Sequence, residues 1–223
     1  MSKKITNPNI FAISQTTISD LKNDWQKVLQ KYCADTTNVD EIIQILIDKY
    51  SEKHRAYHNL SHINYLLKEA KKFDFADADA IYFTTWFHDV IYEPKKSDNE
   101  IESAKLAAKL LQKLILPEET ITKIEQIILA TQTHSAENLD EDGKIFLDLD
   151  LSILGADQEI YQNYSRAIRQ EYSHVEYSLY RCGRKKVLEN FLKRETIFFT
   201  ENLRERFENQ ARLNLANEIK ELS

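Results

Sequence analysis

The chain has 223 residues with a formal net charge of −6, and its acidic and basic residues are interspersed over most of its length. This pattern excludes the broad basic surface that binding to bulk nucleic acid requires. Only three glycines and three prolines occur. Because strands joined by tight turns need more of both residues, long helices joined by few loops are expected.

Apolar residues recur at helical rather than alternating spacing, which predicts an all-α fold. In chain order the predicted helices cover approximately residues 18–32, 38–51, 60–73, 77–91, 97–116, 118–134, 149–154, 157–172, 184–193 and a last stretch ending near residue 220. The residues before about position 16 are expected to be irregular, and the acidic stretch 135–144 is the longest expected loop. No repeat or linker interrupts the chain, so we expect one domain over residues 1–223.

Two short patterns indicate where helices begin. Asn38 followed by Glu41, and Ser97 followed by Glu100, resemble capping boxes, in which side chains satisfy the free amide groups of the first helical turn. The helix expected over residues 77–91 is apolar nearly all round, which is typical of a helix buried at the centre of a domain.

The chain carries no sign of a membrane segment or a disulfide framework. No run approaches the ~18 apolar residues needed to cross a bilayer, and no apolar signal core follows the N-terminal residues. Cys33 and Cys182 lie far apart and lack a nearby second cysteine, which is typical of reduced thiols in an intracellular protein. We therefore expect a cytoplasmic protein without membrane contact, whose helical surface is compatible with a homo-oligomer.

An adjacent His88-Asp89 pair lies within the most apolar predicted helix. A buried carboxylate without a partner costs on the order of several kcal/mol, so the pair indicates a metal site or a compensating group. The alternative is that Asp89 lies at the helix end and faces solvent or an arginine. His58 and His62 are four residues apart, so a helix that includes both would place them on one face.

Two further carboxylates alternate with leucines in the sequence. Asp148 and Asp150 lie between Leu147, Leu149 and Leu151, and taken alone this pattern fits exposed carboxylates as well as metal ligands. Together with the histidines, a ligand role for Asp150 is the better interpretation, since imidazole and carboxylate are common ligands of hydrolytic metal sites. Asp148 stays a possible substitute.

The order of these residues resembles the HD superfamily of metal-dependent phosphohydrolases, and in particular a predicted-phosphohydrolase subfamily. The similar segments, which extend over about residues 52–200, are Arg55–Ile63, Phe87–Tyr92, Asp98–Glu100, Ser103-Ala104, Asp148–Gly155, Arg169–Val175 and Gly183-Arg184. The resemblance implies a helical bundle with a metal site in its core. The implied metal ligands are His62, His88, Asp89 and Asp150.

The resemblance also implies the chemistry. A divalent cation, namely Mn, Fe, Co, Ni, Zn or Mg, would activate water to cleave a phosphate ester of a nucleotide or another small phosphorylated metabolite. The expected catalytic residues are His58, His134 and Asp89, with either histidine as the proton donor to the leaving group. Arg55, His58, His134 and Arg184 are the expected phosphate-binding residues. His134 has a simpler explanation as well, because helix ends favour histidine through the helix dipole.

Several residues keep two interpretations. The segment 181–194 has six basic residues against one acidic residue, which fits a solvated helix face as well as a rim that attracts phosphate. Tyr57 and Tyr92 flank the motifs and fit a pocket wall or simple packing. His54 is expected on the surface, and the role of His174 stays open.

Two other functions are compatible with the same residues. A site of this kind with two metal ions can activate oxygen on a small molecule, as a di-iron oxygenase does. A non-catalytic module could instead keep the metal to hold its helices together or to bind a nucleotide.

Overall fold

The structure, a computed structural model, describes residues 11–32 and 35–223, and over these residues the protein is all α-helical, as predicted. The helices are α1 (Gln15–Leu29), α2 (Thr36–Tyr50), α3 (Leu60–Ala70), α4 (Ala78–Phe87), α5 (Asn99–Lys113), α6 (Glu118–Thr131), α7 (Glu141–Leu151), α8 (Gln158–Glu171), α9 (Tyr177–Leu192) and α10 (Glu201–Glu221). Short 3₁₀ turns at Gln30–Tyr32 and Ser152–Gly155 continue α1 and α7.

A first hydrophobic cluster is formed by the apolar faces of α1 to α6. Trp25 and Trp86 are fully buried at its centre, with their rings edge to face at 5.8 Å. Two of its aromatic side chains form hydrogen bonds to the backbone. The Trp25 indole N–H donates to the Val39 carbonyl, and the Tyr50 hydroxyl donates to the Trp86 carbonyl. These bonds fix the positions of the aromatic rings as well as burying them.

A second hydrophobic cluster joins the C-terminal helices to the segment before α3. It contains Tyr57 and Leu66 together with apolar residues of α7 to α10. Gly155 permits the close approach of the 3₁₀ turn to α10, because a Cβ atom there would lie 2.7 Å from the Phe207 carbonyl oxygen. Any larger residue at 155 would force these two segments apart.

Helix α4 lies at the centre of the bundle, as its apolar composition predicts. It packs against α3, α5, α6 and α7, and Phe83, Trp86 and Phe87 are fully buried. The helix ends at Phe87, so His88 and Asp89 follow directly at its C-terminal end. The His-Asp pair is therefore held where several helices meet.

Three helix starts differ from the predicted ones, and at two of them, in α2 and α9, an acidic side chain caps the helix. Asp35 rather than Asn38 precedes α2, and its carboxylate accepts the Thr37 amide at 2.7 Å. Asp98 rather than Ser97 occupies the N-cap position of α5. Glu176 caps α9, so this helix begins seven residues before the predicted start at 184.

The predicted loop 135–144 is partly helical. Asp140 accepts the Gly143 amide at 3.0 Å and begins α7. Two acidic residues in the first turn, Glu141 and Asp142, stabilise the positive end of the helix dipole. The acidic composition that favoured a loop is thus the composition of a well-capped helix start.

Some sequence predictions fall outside the described residues. These are the first ten residues of the expected irregular N-terminal stretch and the thiol of Cys33. Cys182 is exposed and forms no disulfide. Within the described ranges, no helix has both the length and the apolar character needed to cross a membrane.

Candidate metal centre

His88 is buried at the end of α4 and is oriented by its own helix. Its Nδ1 atom lies 3.0 Å from the Thr85 carbonyl oxygen. Because a carbonyl only accepts hydrogen bonds, Nδ1 carries a proton and Nε2 is the atom directed at the neighbouring side chains. This backbone contact fixes the ring orientation that a metal ligand requires.

Two side chains from other helices approach Nε2 of His88. His62 comes from α3 and Asp150 from α7, and their ligand atoms and that of His88 all lie within 4.8 Å of one another. The Nε2 atoms of His62 and His88 are 3.3 Å apart. Oδ1 of Asp150 lies 3.1 Å from the first of these atoms and 3.7 Å from the second.

These separations fit a single cation. Ligand atoms bonded to one ion at about 2.0–2.2 Å lie about 3.0–3.5 Å from each other, which is close to the three distances observed. Burial lowers the pKa of His62, so its imidazole is neutral near pH 7, the form that binds metals. Among the described residues Nδ1 of His62 has no hydrogen-bond partner, and its ring instead packs on Tyr57 at 5.0 Å.

Asp89 lies beside this cluster rather than within it. Its Oδ2 atom is 3.1 Å from Nε2 of His88, and its side chain is 19% exposed, while the three-residue cluster does not include it. Burial disfavours the imidazolium form of His88, but the Asp89 and Asp150 carboxylates outweigh this effect and raise the pKa of His88 to about 9. The two carboxylates therefore draw a positive charge into the cluster, as a proton or as a cation.

His134 approaches the cluster from the end of α6. Its Nε2 atom lies 3.0 Å from Oδ2 of Asp150, so the two oxygens of this carboxylate face different histidines. The His134 backbone has a φ of 46°, a left-handed conformation that costs a non-glycine residue on the order of 1 kcal/mol. Arg194 stabilises it by donating to the carbonyls of Thr133 and His134 at 2.8 and 2.9 Å.

His58 is held by a buried carboxylate that the sequence analysis did not single out. Oε2 of Glu171 lies 2.7 Å from His58 Nδ1 and 2.8 Å from the Tyr92 hydroxyl, and Oε1 accepts the amides of residues 56–58. Burial disfavours the imidazolium, but Glu171 outweighs it and raises the pKa of His58. Glu171 thus favours the imidazolium form of His58, whose side chain lines the adjoining cavity.

Arg55 does not contact the cavity, which corrects its predicted role in phosphate binding. Its guanidinium donates to the Glu52 carboxylate and to the backbone carbonyls of His58, Asp89 and Val90, and its side chain is 0% exposed. Because these acceptors occupy its donors, Arg55 joins the His58 segment to the His88-Asp89 segment and is not free for a substrate.

Asp148 is not the alternative fourth ligand. Its carboxylate accepts the amides of Phe199 and Thr200 and the Thr200 hydroxyl, each at 2.7 Å. These bonds hold the segment that leads into α10. Asp148 and Asp150 therefore point in different directions, and only Asp150 reaches the histidines.

A cavity of about 820 Å³ opens beside the cluster. His58, Asp89, His134 and Asp150 line it next to the cluster, and Tyr57, Tyr92 and Tyr164 also contribute to its wall. Of the six basic residues in the segment 181–194, only Arg184 and Arg194 contribute to the lining. Arg184 is paired with Glu218 at 2.8 and 3.1 Å and lies over the Tyr164 ring.

Two other histidines lie away from this cavity. His54 is exposed and stacks on Tyr92, and His174 is exposed and stacks on Tyr172. Neither contributes to the cavity wall. The six histidines thus divide into four near the carboxylates and two on the surface.

Comparisons of the chain with protein-family models, with curated proteins and with solved structures find no match. The likeness to the HD superfamily therefore depends on the motifs quoted from the sequence. The geometry establishes that His62, His88 and Asp150 form a group able to hold a metal ion.

Proposed function

We propose that the protein is a metal-dependent phosphohydrolase of the HD type, acting on a phosphate ester of a nucleotide or another small phosphorylated metabolite. The observation that supports this most directly is the convergence of His62, His88 and Asp150 on one point, beside a cavity lined by further histidines. The motif order along the chain supports it independently.

The donor set accounts for the metal chemistry. Two imidazoles with carboxylates suit Mn, Fe, Co, Ni, Zn or, less well, Mg. When bound, such a cation lowers the pKa of a water molecule and polarises a phosphoryl oxygen. Asp89, beside His88 and lining the cavity, is placed to accept a hydrogen bond from the attacking water.

His58 is the residue best suited to protonate the leaving group. Glu171 raises its pKa and so favours the imidazolium, the form that can deliver a proton to the alkoxide that forms. Glu171 holds Nδ1 and so directs Nε2, which is the role of the third residue in a catalytic triad. Tyr92 stacks on the His58 ring at 4.3 Å and restricts its rotation.

Side chains rather than backbone amides must neutralise the phosphate, because the sequence has no glycine-rich phosphate loop. Arg184 and His134 line the cavity and are the proposed contacts. Arg184 keeps its charge at every physiological pH. His134 is already linked to the cluster through Asp150, so the phosphate would lie between the cluster and these donors.

The test combines metal analysis with a phosphatase screen. The purified protein is analysed for bound metal and then assayed against mono-, di- and triphosphates and cyclic nucleotides with each candidate cation. His88→Ala should abolish metal retention and turnover, and Asp89→Ala should abolish turnover, whereas the matched surface variant His174→Ala should keep both. A metal-free double variant of His88 and Asp89 that still hydrolyses phosphate esters would refute the proposal.

The same experiment separates the two other functions. Tight binding of metal and nucleotide without turnover would indicate a binding module. Bound iron with a di-iron optical spectrum, and no phosphatase activity with any cation, would indicate an oxygenase.

A further inference from the structure

Helix α9 presents an apolar stripe to the cavity with a gap in its middle. Leu179, Gly183 and Val187 are four residues apart, so they lie on one face of the helix, and all three line the cavity. Leu179 and Val187 are 67% and 47% exposed. Large apolar side chains that stay accessible on both sides of a glycine leave an open apolar wall.

The glycine is not required by packing. A Cβ atom at Gly183 would meet no heavy atom of the described residues within 4 Å, whereas a Cβ atom at Gly155 would collide with Phe207. Glycine inside a helix lowers helix stability relative to alanine. The fold thus gains nothing from Gly183, and its effect is to leave space in the cavity wall.

This wall is separated from the metal cluster by tyrosine rings. Tyr57 packs on His62 at 5.0 Å and on Tyr164 at 4.7 Å, and the Arg184 guanidinium lies 5.3 Å from the Tyr164 ring. A phosphate group bound near His62 would leave most of the 820 Å³ cavity unfilled. Cavities of this size, with mostly apolar and aromatic walls, hold organic ligands of drug or nucleotide size.

We propose that Gly183 makes room for the organic part of the phosphate ester, and that the side-chain size at position 183 sets which esters the cavity admits. The favoured class is an ester with a bulky aromatic or apolar group, which would contact Tyr164, Leu179 and Val187. Pyrophosphate and the phosphates of small polyols do not reach this wall. The inference rests on the proposed function only for the phosphate end of the ligand.

The test uses ligands that share a phosphate and differ in size. The Mn²⁺-loaded protein is titrated calorimetrically with inorganic phosphate, phenyl phosphate and adenosine monophosphate. The wild type should bind adenosine monophosphate more tightly than inorganic phosphate. Gly183→Leu should weaken adenosine monophosphate at least tenfold and change inorganic phosphate less than twofold. Cys182→Leu places the same side chain at an exposed position of α9 outside the cavity and should change neither affinity.

A smaller substitution at the same position tests whether a folding defect explains the result for the leucine variant. Gly183→Ala should raise the Tm, because alanine favours the helix and its Cβ meets open space. It should also weaken the binding of adenosine monophosphate, by a smaller factor than leucine does, because one methyl group intrudes less on the ligand. Higher stability with weaker binding cannot result from a damaged fold.

The outcomes separate this inference from the proposed function. Binding of adenosine monophosphate that Gly183→Leu abolishes, without hydrolysis by the wild type, would retain the inference and reject the phosphohydrolase. The inference is overturned if the wild type does not bind adenosine monophosphate. It is also overturned if the leucine variant binds it normally, or if all three ligands weaken together. A change in oligomeric state with unchanged affinities would instead assign the stripe to a contact between chains.

Discussion

Replacing Glu171 by glutamine tests how a single buried charge organises the site. The carboxylate accepts five hydrogen bonds, from three backbone amides, His58 and the Tyr92 hydroxyl, and its side chain is 0% exposed. Glutamine has nearly the same shape but carries no charge, and its amide nitrogen cannot accept a hydrogen bond. At least one of these donors would therefore lose its partner.

The size of the effect follows from the carboxylate's pKa. Burial alone would raise it, but His58 and the backbone amides outweigh burial and lower the pKa of Glu171 from 4.5 to about 2. Since one pH unit corresponds to about 1.4 kcal/mol, the charged form stabilises the fold by about 3 kcal/mol. Loss of a buried hydrogen bond to a charged group costs about 1.5–3 kcal/mol, which is consistent with the value obtained from the pKa.

The sign of the pH dependence is set by the lowered pKa. The stabilisation by the charged Glu171 side chain is fully present above its pKa of 4.5 in the unfolded chain. It is lost as the pH falls towards the folded-state pKa of about 2. In urea titrations, Glu171→Gln should lower the free energy of unfolding by about 3 kcal/mol at pH 7. The difference from the wild type should persist at pH 5.5 and shrink below pH 4.5.

The matched control is Glu159→Gln, which removes an exposed carboxylate from the same helix. It should change the free energy of unfolding by less than about 0.5 kcal/mol. A Glu171→Gln effect that is equal at pH 7 and pH 3, or no larger than that of the control, would refute the role assigned to this charge.

Other predictions follow from the same contacts. In the phosphatase assay, Glu171→Gln should shift the basic limb of the pH–rate profile to lower pH, because His58 loses the carboxylate that raises its pKa; an unmoved limb would exclude His58 as the acid. Asp150→Asn should lose the metal, measured by elemental analysis, while Asp148→Asn should retain it and lose about 1.5–3 kcal/mol of stability. Chelation should lower the Tm of the wild type and leave that of Asp150→Asn unchanged. Arg55→Ala should lower the free energy of unfolding by about 3–5 kcal/mol, since Arg55 is buried and paired; a loss below 1 kcal/mol would contradict its structural role.

The helical fold and its central helix are predictable because they depend on local periodicity. The spacing of Phe83, Trp86 and Phe87 predicts a buried α4, and the observed helix ends one residue before His88. Helix starts are less predictable, since several polar side chains compete for each N-cap and only geometry selects among them. Asp35 and Glu176 outcompete later residues for this reason.

The candidate cluster is predictable in part, because residue chemistry is visible in the sequence whereas orientation is not. His62, His88 and Asp150 are drawn together as expected. Nothing in the local sequence distinguishes Glu171 from an exposed glutamate at a helix end, since its partners lie 79 to 115 positions earlier in the chain. Arg55 is misassigned for a related reason, as its acceptors are backbone carbonyls that no side-chain pattern reveals.

The position of the cluster explains why such long-range partners matter. The neighbours of its ligands belong to different hydrophobic clusters, with Ile63 and Phe87 in the first and Leu149 and Leu151 in the second. The ligand atoms therefore converge only if the two clusters keep a fixed mutual position. Arg55 and Glu171 maintain it with buried charges that bond to backbone. Such bonds are directional and costly to break. They can therefore fix the relative positions of the ligand atoms, which non-directional apolar contacts alone would not do.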